Sequence, residues 1–466
     1  MIKLRYGRMF QDQLDGEHGL SRARLTELAL RFGAIRTEVS HRRTAGEYGF
    51  YQLVDQDDTV RQIKAFAEGL GQAHDHVLVL GIGGSALGTK ALLNALRRPA
   101  WNEWDDEGRD FFPRLTILEN VDPTSVAAAL ARIDPRRVLV NVISKSGGTA
   151  ETMAQYLVVR QWLHDALGAA ASRHVVFTTD PARGALRELA QQDRIPTLDV
   201  PPAVGGRFSV LSPVGLLPAA LVGIDVAGLL AGARRAVERS EPDDLLQNPA
   251  ALYAALHWAA DTGLGARVHV LMPYTDRLRE LAEWYRQLWA ESLGKRVDRE
   301  GKVVHVGPTP IGAVGATDQH SQVQLFMEGP FDKVITFATV NDLGVDVAIP
   351  DRSADPTAAR LPPDLEYLQG HTLGELLRAE YEATSAALAQ MGRMSCSLAL
   401  PDLTADTLGE VIMFFQLATG YAGAWYGIDP FDQPGVELGK RLTYAAMGRP
   451  GYEPAGSENQ TSADEV

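Results

Sequence analysis

The sequence predicts an α/β protein built from two units, each a mainly parallel β-sheet sandwiched by helices. Three observations carry that prediction. Short apolar runs alternate with Ala- and Leu-rich stretches of helical length, the pattern of a parallel sheet covered on both faces. Two loops rich in glycine and hydroxyl side chains each follow an apolar run and precede a helical stretch. Finally, 466 residues, at about 150 per domain, suit two large domains or three smaller ones.

Taken in order, residues 1–65 read as an N-terminal helical extension, with turn signals at Gly46 and Gly49. The first unit is expected over 66–235. Its strands are the apolar runs 76–80, 115–118, 138–143 and 175–178, and its helices include 86–97, 124–133 and 149–168. The second unit is expected over 236–447, with strands at 268–272 and 334–338. There 278–293 reads as a helix, because its apolar residues fall at 281, 284, 285, 288 and 289. A long buried helix is expected over 405–427. The Pro-, Gly-, Ser- and Glu-containing tail 448–466 is expected to be disordered.

Composition removes several function classes. Forty-five Lys and Arg against 59 Asp and Glu leave a formal charge of −14. That argues against nucleic acid or an anionic membrane as partner. It leaves a small anion open, since a few local donors bind a phosphate against the global field. The one cysteine, Cys396, makes no intrachain disulfide and reads as a buried structural thiol in a reducing compartment. The most apolar stretch, 214–233, is interrupted by Pro218 and Asp225, which favours buried helices over a membrane span. The first residues lack the apolar core of a signal peptide, so a cytoplasmic protein is expected.

Six segments have the residue types for chemistry. Gly81-Ile82-Gly83-Gly84-Ser85 lets backbone approach a ligand at a helix start, although a plain strand-to-helix turn has the same composition. Ser144-Lys145-Ser146-Gly147-Gly148-Thr149 gathers three hydroxyls and a run of N–H groups, which suits a phosphate monoester; an N-cap with a flexible loop is the plainer alternative. Arg207, beside Gly205 and Gly206, can stabilise developing negative charge or sit in a surface turn. Gln287 and Glu291 are four apart and share a helix face, where a carboxylate shuttles protons or is simply solvated. His320, in a polar glycine-containing loop, is a candidate acid/base or an ordinary hydrogen-bonded histidine. Gln433 and Lys440 flank Pro434-Gly435-Val436-Glu437-Leu438-Gly439, which also fits a helix start. No HxH, HExxH or Cys/His cluster surrounds them, so no metal site is expected.

Together these segments, in this order, resemble the phosphoglucose isomerase family, bacterial type, within the sugar isomerase (SIS) superfamily. The most diagnostic stretches are 205–215 (Gly-Gly-Arg-Phe-Ser-Val-Leu-Ser-Pro-Val-Gly) and 435–440 (Gly-Val-Glu-Leu-Gly-Lys). The resemblance covers about 80–440 and implies two SIS-type domains, a homodimer and a reaction without metal or organic cofactor. It implies interconversion of glucose 6-phosphate and fructose 6-phosphate. Glu291 would be the base between C2 and C1, and Arg207 would stabilise the cis-enediolate. His320, contributed by the partner subunit, and Lys440 would open the sugar ring. Gly84, Ser85, Ser144, Lys145, Ser146 and Thr149 would contact phosphate and sugar, while Gln287 and Gln433 orient the substrate. Two other readings stay open: a broader isomerase that also takes mannose 6-phosphate, and a non-catalytic sugar-phosphate sensor. The sequence departs from many relatives at Gly147-Gly148, where another threonine is common.

Overall fold

The computed structural model describes residues 1–351 and 362–453. The chain begins with β1 (Lys3–Arg5), α1 (Arg22–Thr44) and α2 (Asp57–Gly69). A strand–helix alternation follows: β2 (His76–Leu80), α3 (Leu87–Leu96), β3 (Arg114–Leu118), α4 (Pro123–Arg132), β4 (Val138–Ser144), α5 (Ala150–Leu167), β5 (Val175–Thr179), α6 (Ala185–Asp193) and β6 (Thr197–Asp199). Three helices, α7 (Pro213–Leu221), α8 (Val226–Glu238) and α9 (Pro249–Leu264), lead into β7 (Val268–Pro273) and α10 (Arg279–Leu293). The rest is β8 (Lys295–Val297), β9 (Val303–Val306), β10 (Thr309–Gly312), α11 (Val323–Glu328), β11 (Lys333–Val340), α12 (Leu373–Gln390), β12 (Ser395–Leu400), α13 (Ala405–Tyr426) and α14 (Glu437–Ala446).

The expected fold class holds. The first sheet runs β3-β2-β4-β5-β6, all parallel. The second runs β1-β12-β11-β7-β10, with four parallel strands and β1 antiparallel at the edge. In the first sheet the chain steps from β2 outward to β3, then crosses back to β4. Strand order therefore reverses between β2 and β4, and a crevice opens at their carboxyl ends.

Local chemistry sets the helix limits. Asp122, Ser212, Asp225, Asn248 and Thr404 each accept a backbone N–H at the start of a helix. Asp225 thus separates α7 from α8, so the stretch 214–233 is two short helices, with Pro218 inside the first. Among the described residues no helix is long and apolar enough to cross a membrane. Helix α13 is buried along 407–425, as a helix apolar all round must be. It crosses α8 so closely that a Cβ at Gly232 would lie 1.7 Å from the Asp406 carbonyl oxygen. The buried Glu410 on α13 joins Arg235, Arg239 and the Ile2 amide.

Some details differ from the sequence reading. Residues 1–65 are not only helical, because β1 pairs with β12. A three-residue edge strand carries too little alternation to be read. Strand β12 (Ser-Cys-Ser-Leu-Ala-Leu) went unread because its serines mask a fully buried strand. Cys396 within it is buried. Of the tail 448–466, residues 448–453 form turns, and 454–466 lie outside the described residues.

Beneath α10 lies a buried polar network. Trp289 Nε1 donates to His269 Nδ1 at 3.0 Å, which leaves the His269 proton on Nε2. His257 Nδ1 meets the Tyr253 carbonyl at 2.9 Å, so its Nε2 accepts from Thr336 Oγ1 at 3.2 Å. Accepting at Nδ1 requires a neutral His269, and burial favours the neutral form of both rings. Burial lowers the His257 pKa to about 4 and holds His269 well below the usual imidazole range. The unfolded chain takes up these protons near 6.5, the folded chain only at lower pH. Their contribution is present above pH 6.5 and is lost as pH falls from there toward 4. We expect the urea midpoint to drop between pH 7 and pH 5, because the unfolded chain binds protons there that the folded chain does not. A midpoint independent of pH over that interval would contradict buried, neutral histidines.

Candidate active site

The crevice is lined by loops leaving neighbouring strands. After β2, Gly81–Ser85 turns sharply into α3: a Cβ at Gly81 would sit 2.8 Å from the Ser85 carbonyl oxygen. A Cβ at Gly84 would lie 2.3 Å from the Gly206 carbonyl oxygen, so this loop packs backbone to backbone on the Arg207 turn. After β4, Ser144 Oγ lies 3.0 Å from Thr149 Oγ1 and 3.5 Å from Ser146 Oγ, and the Gly148 N–H donates to Ser146 Oγ at 3.3 Å. No side chain caps the start of α5. Three converging hydroxyls at a helix N-terminus have the chemistry to take a phosphate dianion.

Gly147 has φ +64°, and a Cβ there would meet Gly184 backbone at 3.1 Å. A side chain is therefore disfavoured at 147, whereas a Cβ at Gly148 would meet nothing nearer than the Ser146 carbonyl oxygen at 4.0 Å. Lys145 turns away from the hydroxyls. Its Nζ donates to the carbonyls of Pro202 and Val204 at 2.7 and 2.8 Å, and burial lowers its pKa while Asp180 opposes that.

The centre of the crevice is a buried guanidinium. Arg207 Nε donates to Ser292 Oγ (2.6 Å), Nη1 to Gln433 Oε1 (2.8 Å), and Nη2 to the carbonyls of Pro430 (2.6 Å) and Asp432 (3.0 Å). All four hydrogen-bond acceptors are neutral, and the charge on the guanidinium is balanced in part by Glu291 alongside. Burial lowers the Arg207 pKa, and Glu291, Asp432 and Asp429 oppose that; an arginine stays protonated at neutral pH. Glu291 Oε1 lies 3.5 Å from Nη1, and its Oε2 accepts from Gln287 Nε2 at 3.1 Å. Gln287 packs against Gly83, and its Oε1 is buried without a partner. A fixed cation, a neighbouring carboxylate and an unsatisfied amide oxygen beside the 81–85 loop can bind an anionic polyol and move its protons.

His320 and Lys440 are not drawn into this cluster. His320 is exposed in the turn after β10, beside Gln319, which accepts from the Tyr274 hydroxyl at 2.6 Å. Lys440 is exposed on α14 and pairs with Glu437 at 2.8 Å. Among the described residues no hydrogen bond or ion pair joins either to Arg207, Glu291 or Gln433. Three supporting contacts escaped the sequence reading: Ser292, the carbonyls of the 430–432 turn, and the buried Lys295. Lys295 lies just past the end of α10, as the first residue of β8, so helical spacing from Glu291 does not reveal it. Among the described residues no group of three His, Cys, Asp or Glu is placed to hold a metal ion.

The fold and crevice define an α/β protein with a hydroxyl-rich loop and an Arg207–Glu291 pair beside a strand-order reversal. Residues 56–464 match the phosphoglucose isomerase family. The chain is 42% identical over 453 residues to the glucose-6-phosphate isomerase of Carboxydothermus hydrogenoformans, covering 97% of this chain and 96% of that one. It is 50% identical over 374 residues to that of Rubrobacter xylanophilus, covering 80% and 82%. A solved hypothetical protein from Thermus thermophilus superposes with TM-score 0.82 at 38% identity, covering 96% of this chain and all of that one. A Chlamydia trachomatis glucose-6-phosphate isomerase superposes with TM-score 0.70 at 25% identity, covering 84% and 73%. The chain belongs to the phosphoglucose isomerase family.

The contact of Gly84 with Gly206 yields a prediction. Gly84→Ala forces the two loops apart and lowers stability by about 1–3 kcal/mol. Gly263→Ala, in α9 with nothing within 4 Å of its Cβ, is a matched control expected to gain up to about 1 kcal/mol. Urea midpoints of the two variants check both.

Proposed function

We propose that this protein catalyses the reversible isomerisation of D-glucose 6-phosphate and D-fructose 6-phosphate through a cis-enediolate, with Glu291 as the base. The observation that carries the reading is the Glu291 carboxylate, 3.5 Å from a buried arginine held by neutral acceptors. The family membership supports the same reaction.

The chemistry follows from those groups. Moving the carbonyl between C1 and C2 requires a base to take the proton from one carbon and return it to the other. One carboxylate above both carbons suffices. The enediolate gains negative charge next to Arg207, whose hydrogen bonds hold it in place before reaction, so little reorganisation is needed. Ser144, Ser146 and Thr149 bind the phosphate with the N–H groups of their loop. Lys145 supports that loop by its hold on 202–204 and serves the phosphate through its backbone. Gly84 and Ser85 let the sugar approach closely, and Gln287 and Gln433 orient its hydroxyls. Ring opening needs a separate acid/base pair, which we assign to His320 and Lys440. The reading uses no metal and no organic cofactor, and we place the enzyme in the cytoplasm.

Because His320 is exposed and apart from Glu291 in one chain, we assign it to the site of a second copy in a homodimer. The two domains of each subunit would be 66–235 and 236–447, behind the extension 1–65.

Two experiments test this. Fructose 6-phosphate turnover, coupled to glucose-6-phosphate dehydrogenase, should be robust in the wild type. In Glu291→Gln it should fall by about three orders of magnitude or more. Unchanged turnover in the variant would refute the base. Mixing and refolding Glu291→Gln with His320→Ala should restore about a quarter of wild-type activity, because half the dimers are mixed and each holds one intact site. If His320 acts within its own chain, mixing restores nothing.

A further inference from the structure

We infer that Lys295 is a positioning residue for the isomerisation: its buried ammonium pins the 430–433 turn, and the arm beyond it, to the helix that carries Glu291. The inference rests on the roles proposed above for Glu291, Gln433 and Lys440.

The Lys295 side chain is only 5% exposed. Its Nζ donates to the Glu291 carbonyl at 3.2 Å and to the Asp432 carbonyl, and pairs with Asp432 Oδ1 at 2.8 Å. Two carbonyls accept from the ammonium and the Asp432 carboxylate balances its charge. A buried ammonium without such partners would be strongly unfavourable, so the contacts are required by its burial. On one side it reaches a carbonyl in the last turn of α10, where carbonyls lack helical partners and a cation is favoured. On the other side it holds Asp432, whose carbonyl also receives Arg207 Nη2 at 3.0 Å.

Two cations from distant parts of the chain therefore clamp one turn. Beyond it the chain has little other support: residues 432–443 are exposed. Gln433 and Lys440 both ride on this arm, so the clamp determines where they stand relative to Glu291. Helix α10 itself is fixed from its opposite face by the buried Tyr285 and Trp289. Loss of Lys295 should therefore disturb the arm and leave the helix in place.

The test is a double-mutant cycle on the full-length enzyme. Lys295→Met keeps length and apolar packing, and Asp432→Asn removes the charge from a half-exposed side chain. Each is combined with Gln433→Ala, and kcat and KM for fructose 6-phosphate are measured with Tm. Lys295→Met should lower kcat/KM about tenfold or more, Asp432→Asn less, since both carbonyl acceptors remain. With Gln433 removed, neither should cost much further, because residues acting as one unit are not additive. Amide exchange over 430–433 should rise in both variants while 279–293 stays protected. Wild-type kcat/KM in Lys295→Met, additive losses, or a loss of protection spread through the chain would each overturn the proposal. If Lys295→Met does not fold, the Asp432→Asn cycle decides. If the wild type itself has no turnover, the isomerase reading fails, and exchange over 430–433 still judges the anchor.

Discussion

The site depends on one buried cation. Arg207 comes from a glycine turn that follows the first sheet, yet its acceptors lie on α10 and on the turn after α13. Taking a guanidinium out of water costs several kcal/mol. Four neutral acceptors and the nearby Glu291 offset that cost. The acceptors tie three remote segments together and hold the guanidinium in place beside Glu291. The close contact of Gly84 on Gly206 then places the first phosphate-side loop against the same turn. Lys145 ties the 144–149 loop to residues 202 and 204, just before that turn.

Helix α10 shows how burial on one face fixes function on the other. Tyr285 and Trp289, four residues apart, point into a core that contains His257, His269 and Thr336. Gln287 and Glu291, also four apart, face the crevice. At 3.6 residues per turn these pairs lie on opposite sides of the helix. In the polar network beneath, Trp289 donates to a neutral His269 whose Nε2 has no partner, so the orientation of the working face is tied to the protonation of a buried histidine on the other side of the helix.

Much of the fold was readable because its signals are local. The alternation of apolar strand and helix over 76–178 sets the first sheet, and Asp225 marks a helix boundary by its own hydrogen bond. Glu291 and Gln287 could be paired by spacing alone. What escaped was of two kinds. Strands such as β1 and β10 are three and four residues long, too short for a period to register. Contacts such as Arg207 with Ser292 join residues 85 apart, and no pattern along the chain encodes them.

By itself the sequence determined the α/β class, the order of its loops and the residue types that suit an aldose–ketose isomerisation, since periodicity, capping and glycine turns act over a few residues. Only the tertiary structure decided that Lys145 serves its loop rather than pointing among the hydroxyls, that Lys295 is buried against Asp432, and that His320 and Lys440 stand outside the Arg207 cluster of a single chain. Those outcomes depend on which remote carbonyls and carboxylates fall within reach of each cation, and packing sets that reach.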